Sequence, residues 1–254
     1  MQYTPYSDVN EVLELLLLNL KKVLGDKLMG LYLYGSLLTG DFDIEISDID
    51  LLAVTSTDID DNEFSALNKM HKDFVKEYKK WNDRIEIAYV SKDALKTFKT
   101  KKSQIAIISP GEPFHRKVAG NDWLINWYMV RGKGITLFGP TPTTLITLIS
   151  KEEFIRANRE QTKEWREWVH NDHKLGFQAY AILTMCRALH VYRHGEQISK
   201  KQAAIWAQKE LPQWSSLIQN ALVWRRDKEN KRVDEKTFPV TVKFVHFVID
   251  QIVN

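Results

Sequence analysis

The chain has 254 residues, of which 44% are hydrophobic and 27% charged, and its net charge is +3. That length supports one or two domains with a full core, without help from disulfides or a structural metal. The weak charge bias argues against a dedicated nucleic-acid binder, and the single cysteine, Cys186, excludes an internal disulfide and a cysteine-built zinc site.

Val9, Leu13, Leu16, Leu17 and Leu20 recur at helical spacing and predict a first helix over 9–23. This run is interrupted by Glu14 and Asn19 and falls short of the roughly 20 apolar residues of a membrane span. Asp8 and Glu11 precede it, where a signal peptide carries positive charge. The expectation is a soluble cytoplasmic protein, which a lone cysteine also fits.

Strands are expected at 31–34, 49–54, 84–90 and 104–108, because these segments are short, apolar or alternating. Between them, Phe64, Leu67, Met70, Phe74 and Tyr78 mark a helix over 63–78, and Trp123, Ile125, Trp127 and Val130 another over 122–130. Gly139-Pro140-Thr141-Pro142 is the clearest break. Beyond it only helical periodicity appears, at 152–169, 177–194, 200–211, 214–224 and 240–253. Gly195 stands where a helix-ending glycine belongs and Ser199 where an N-cap belongs. The reading is a mixed α/β domain over 1–141 and an all-α domain over 142–254.

The chemistry-bearing stretch is Tyr34-Gly35-Ser36 followed by Ser47-Asp48-Ile49-Asp50. On a strand Asp48 and Asp50 share a face while Ile49 enters the core. Two carboxylates held close together repel unless a cation or proton sits between them, and Mg²⁺ prefers such oxygen donors. Gly35 permits close backbone approach and Ser36 adds a hydroxyl, so the turn suits a phosphate. Glu86, a polar residue between Ile85 and Ile87, supplies a third acid able to accept a proton from an attacking hydroxyl.

Gly35-Ser36, Asp48-x-Asp50 and the later strand acid Glu86 resemble the signature of the polymerase β-like nucleotidyltransferase superfamily. In the second half, Leu183 to Arg187, His194 to Ala207 and Leu211-Pro212 resemble the helical domain of the aminoglycoside (streptomycin/spectinomycin) adenylyltransferases. Gly132 to Pro140 is similar to the segment that joins the two domains of that family. The resemblance implies transfer of AMP from ATP to a hydroxyl of an aminoglycoside or aminocyclitol, with release of pyrophosphate. It implies that Asp48, Asp50 and Glu86 hold Mg²⁺, with Glu86 as metal ligand or general base. Gly35 and Ser36 would cradle the triphosphate, Arg187 and Lys200 would reach ATP from the helical domain, and Trp168 and Asp172 would meet the acceptor. Asp172 lies four residues after Trp168 where the family pattern has five, and His173 takes the expected place.

Asp41, Asp43, Glu45, Glu112 and Glu160 are further acids for a polycationic substrate. His190, His194 and Arg187 share one helical face, read as solvated. His170 and His173 lack a third ligand for zinc. The expected partners are ATP and a small-molecule antibiotic, with no nucleic acid and no membrane, for a monomer. Two other readings stand beside this one: the same chemistry on another small-molecule or protein hydroxyl, and a non-catalytic antitoxin-like or regulatory module.

Overall fold

Three neighbouring strands buried at nearly every position form the centre of a six-stranded sheet, as expected of strands covered on both faces. The computed structural model describes residues 2–226 and 232–253. The chain divides into two units, Met1–Ile149 and Ser150–Asn254.

The first unit runs α1 (Ser7–Leu24), β1 (Leu28–Tyr34), β2 (Ile49–Thr55), α2 (Asp61–Glu77), β3 (Ile85–Ser91), α3 (Lys92–Thr97), β4 (Ser103–Ser109), β5 (Glu112–Ala119), α4 (Leu124–Lys133), β6 (Ile135–Phe138) and α5 (Pro142–Leu145). The sheet order is β5-β4-β3-β2-β1-β6. β2 and β3 are parallel and their connection passes through α2, while the other pairs are antiparallel. Parallel neighbours need such a crossover because a tight turn cannot reverse the chain twice.

One set of alternate residues, Leu31, Leu33, Ile49, Leu51, Ile85 and Ile87, packs in a core with Val9, Leu13, Leu16 and Leu20 of α1 and Leu67 and Phe74 of α2. The other set, which includes Tyr34, Asp50 and Glu86, therefore faces away from those helices. The N-terminus of α2 is fixed by a capping box between Asp60 and Glu63.

The second unit contains α6 (Lys151–Trp168), α7 (Leu175–His194), α8 (Lys200–Glu210), α9 (Ser215–Trp224) and α10 (Phe238–Val253). Capping boxes at Ser150 and Ser199 start α6 and α8, and Gly195 ends α7 in the left-handed conformation. The core joins Ile182, Met185, Cys186 and Leu189 of α7 to Ala203, Ala204 and Ala207 of α8 and Phe244, Val248 and Ile252 of α10. Gln178 is fully buried there. Its Nε2 donates to the His173 carbonyl at 2.8 Å, and its Oε1 accepts from Thr241 Oγ1 at 2.8 Å. This satisfied network ties the loop before α7 to α10.

Every helix and strand expected from periodicity is present, with ends displaced by a few residues. Two strands were not expected. β5 carries Glu112, His115, Arg116 and Lys117 at the sheet edge, where one face meets solvent and apolar alternation is lost. β6 has only four residues, too few for a period to register. Among the described residues no helix is long and apolar enough to cross a membrane.

Candidate active site

The C-terminal end of β1 and the N-terminal ends of β2 and β3 meet at one rim of the sheet. In the ladder Tyr34 lies opposite Asp50, and Asp50 lies opposite Glu86. Lateral neighbours on adjacent strands point to the same face. The three side chains thus form a row on the face turned away from α1 and α2.

Asp48 stands differently from the expectation that both aspartates lie on the strand. The strand begins at Ile49, whose N–H donates to the Arg84 carbonyl at 2.9 Å, so Asp48 belongs to the approach loop. Arg84 holds that loop. Its Nε donates to the Ser47 carbonyl at 3.0 Å and its Nη2 to the Ile44 carbonyl at 2.9 Å. The guanidinium lies 4.8 Å from the centre of the Trp81 ring, and Glu45, Asp48 and Asp43 supply the negative charge around it.

Gly35 has a φ of +78°, and a Cβ built on it would lie 1.8 Å from Asp50 Oδ2. The backbone passes against that carboxylate so closely that only glycine fits. Ser36 follows in the 3₁₀ turn Gly35–Leu38. Its Oγ is buried and, among the described residues, has no hydrogen-bond partner. A buried polar atom left unsatisfied costs about 1–3 kcal/mol, so the hydroxyl has a hydrogen bond to offer a group that enters the turn.

The Tyr34 hydroxyl donates to Glu86 Oε1 at 3.2 Å. Burial, reinforced by Glu86, Asp50 and Asp48, pushes the Tyr34 phenol well above its ordinary value, so it remains a donor. Burial and then the Asp48 charge raise Glu86 above the usual carboxylate range, against hydrogen bonds from Tyr34 and Ser109. Glu86 is a carboxylate with more affinity for a proton than its solvated counterpart.

Among the described residues no group of three or more His, Cys, Asp or Glu side chains is gathered closely enough to hold a metal ion. Asp48, Asp50 and Glu86 are neighbours at one rim rather than a closed cage. The donor set still fits Mg²⁺, which takes one or two carboxylates and fills its remaining positions with water and substrate phosphate.

In the helical unit, Tyr180, Leu183 and Arg187 follow one another along one face of α7 at helical spacing. Gly176, Tyr180, Leu183, Lys200, Trp224 and Arg225 line a pocket of about 210 Å³. Lys200 opens α8, where the helix dipole disfavours a cation. Its ammonium sits 4.2 Å from the centre of the Tyr180 ring, which offsets that cost through the π face. Arg187 is half-buried and does not line the pocket.

Trp168 ends α6, is 42% exposed and meets Trp165 edge-on at 5.9 Å. Asp172 is turned inward on its own loop: Oδ1 accepts from the Lys174 N–H at 2.9 Å and Oδ2 from Lys174 Nζ at 3.0 Å. Burial pushes its carboxyl upward, but these contacts outweigh it and hold the group below the usual range. His173 stacks on Phe238 at 3.7 Å and its Nδ1 lies 3.0 Å from Glu235 Oε1. Tyr34, Arg84, Trp224 and Arg225 are the site neighbours that motif spacing did not reveal. Tyr34 and Arg84 stand one and two residues from motif positions, whereas nothing local marks Trp224 or Arg225.

Comparison of the sequence with protein families matches residues 17–112 to the nucleotidyltransferase domain and residues 144–251 to the aminoglycoside adenylyltransferase C-terminal domain. Comparison with curated proteins gives no match. Among solved structures, spectinomycin adenyltransferase AAD(9) from Enterococcus faecialis, determined with ATP and spectinomycin, resembles the chain with a TM-score of 0.75 and 18% identity, over 95% of this chain and 99% of that one. At that identity the likeness speaks for the fold. With the aminoglycoside adenylyltransferase C-terminal domain over 144–251 behind a nucleotidyltransferase domain over 17–112, the protein belongs to the aminoglycoside adenylyltransferases within the nucleotidyltransferase superfamily.

Proposed function

We propose that the protein transfers AMP from ATP to a hydroxyl of an aminocyclitol or aminoglycoside antibiotic, spectinomycin or streptomycin, and releases pyrophosphate. The observation that carries this reading is the row Tyr34–Asp50–Glu86 beside the Gly35-Ser36 turn, with an unpartnered buried hydroxyl at Ser36. Mg²⁺ held by Asp48 and Asp50 would neutralise charge on the triphosphate and orient its α-phosphorus. The Ser36 hydroxyl donates to a phosphate oxygen. Glu86 accepts the proton of the acceptor hydroxyl, and its raised proton affinity suits that task. The freed oxygen attacks the α-phosphorus in line. A new P–O bond forms as the bond to the bridging α–β oxygen breaks, and pyrophosphate leaves. Tyr34 keeps Glu86 oriented through its hydrogen bond.

In this reading 1–141 is the catalytic domain and 142–254 completes the ATP and acceptor sites. Lys200 and Arg187 bring cations to an anionic nucleotide, and the aromatic and basic pocket beside Lys200 supports that role. Trp168 offers an exposed aromatic face to the acceptor. The protein acts as a cytoplasmic monomer on small molecules.

The test is incubation of the full chain with Mg²⁺, ATP and each drug, followed by mass spectrometry. An AMP adduct on spectinomycin or streptomycin, with matching pyrophosphate release, is expected. No adduct on either drug or on a wider aminoglycoside panel overturns the acceptor assignment.

A further inference from the structure

His190 and His194 lie four residues apart in the last turns of α7, with ring centres 4.5 Å apart. Residues at that spacing stack on one helix face, one turn above the other. The His190 Nδ1 lies 3.0 Å from the Glu196 carbonyl oxygen. A carbonyl can only accept, so Nδ1 carries the hydrogen and the Nε2 of the neutral ring keeps its lone pair. A fixed tautomer of this kind, with one nitrogen hydrogen-bonded to a carbonyl and the other bare, is how histidine ligands are oriented toward metals.

Both rings also meet Trp206 of α8 edge-on, at 5.0 Å and 5.3 Å, which limits their rotation. His194 is exposed, and among the described residues its ring makes aromatic contacts but no hydrogen bond. The nearby cation Arg193 is paired with Glu210 at 2.8 Å. The carbonyl end of a helix favours added positive charge.

The geometry points to an open two-histidine site, in which the ring nitrogens of His190 and His194 chelate a divalent transition metal of the Cu²⁺ or Zn²⁺ class. No third His, Cys, Asp or Glu joins them among the described residues, so water fills the remaining positions. Imidazole donors select these ions over Mg²⁺, which keeps the site apart from the carboxylates of the first unit.

The full chain is titrated with Cu²⁺, the strongest binder of the series, and followed by electron paramagnetic resonance and by thermal unfolding. The expected result is a site with nitrogen hyperfine structure and a Cu²⁺-dependent rise in Tm, because the ion links two turns of the folded helix. His190→Gln and His194→Gln each weaken binding more than about tenfold and remove the Tm rise, while His170→Gln changes neither. Unchanged Cu²⁺ affinity and spectrum in both His190→Gln and His194→Gln, or no nitrogen-coordinated Cu²⁺ in the unsubstituted chain, overturns the assignment.

Discussion

Gly35 shows how much one residue decides. Its motif position was legible because Gly-Ser after a strand and before Asp-x-Asp is a local pattern. The reason only glycine serves there was not, since it is the Asp50 carboxylate, 15 positions along the chain, that a Cβ would strike at 1.8 Å. Gly35→Ala therefore adds a left-handed strain of roughly 1–2 kcal/mol and displaces the Asp50 side chain. A misplacement near 1 Å at reacting groups costs about 100-fold in rate. Adenylylation by Gly35→Ala is expected to fall by at least that factor in steady-state kinetics, with the circular dichroism spectrum preserved; near-normal activity would remove Gly35 from the site. Tyr34 makes the complementary point. Its contact with Glu86 depends on lateral register between strands, and a single sequence carries no direct signal of register. His71 is the other residue with a measurable signature. Burial pushes it down to about 4, from an ordinary 6.5, as it sits 2.7 Å from the Tyr89 hydroxyl. The native state holds this ring neutral while the unfolded chain protonates it. The stabilisation is thus full above pH 6.5 and declines as pH falls toward 4. Between pH 7 and pH 5 this one group removes about 2 kcal/mol of folding free energy. Urea unfolding at the two pH values measures it, and His71→Leu is expected to flatten the difference by that amount.

At the scale of elements, what was legible is what a period can carry. α1, α2, α6 and α10 each present an apolar face over several turns, so their existence followed from spacing. β5 escaped because an edge strand needs no buried alternation, and its Pro113, Arg116 and Lys117 are what protect an edge from pairing with another chain. The loop over 41–48 is the element on which the site depends most and which the sequence described least. Its acids were visible, but the residue that shapes it comes from the start of β3. Arg84 spans the carbonyls of Ile44 and Ser47 with two different nitrogens. A lysine presents one compact ammonium and cannot reproduce that fork. Arg84→Lys is expected to lower kcat/KM on the order of tenfold, since Asp48 loses its fixed approach to β2. Thermal unfolding should move little, because the loop contributes few residues to the core of the first unit. An Arg84→Lys enzyme with unaltered kcat/KM would show that the loop is held by other means.

For the molecule as a whole, charge is divided between the two units. The row at the sheet rim is acidic, which suits a metal and a proton but repels a triphosphate. The helical unit carries Lys200 and Arg225 beside Tyr180 and Trp224 in one pocket. That partition was legible as a resemblance of the second half to a known helical domain. The pocket itself was not, because Trp224 and Arg225 stand at the end of α9, where no local motif marks them. Such a division predicts that nucleotide and acceptor affinities separate by substitution. Lys200→Ala removes an ammonium that, in the proposed role, would make a charge-assisted contact with phosphate of about 1.5–3 kcal/mol, so KM for ATP is expected to rise about 10- to 100-fold. The acceptor KM should stay where it was. Trp168→Ala removes an exposed aromatic face and is expected to raise the acceptor KM by roughly tenfold, in line with a lost contact of about 1.4 kcal/mol, leaving ATP unaffected. Two-substrate kinetics on both variants reads the pattern directly. If Lys200→Ala left the ATP dependence untouched, the nucleotide would be bound by the first unit alone, and the cations of the helical unit would need another explanation.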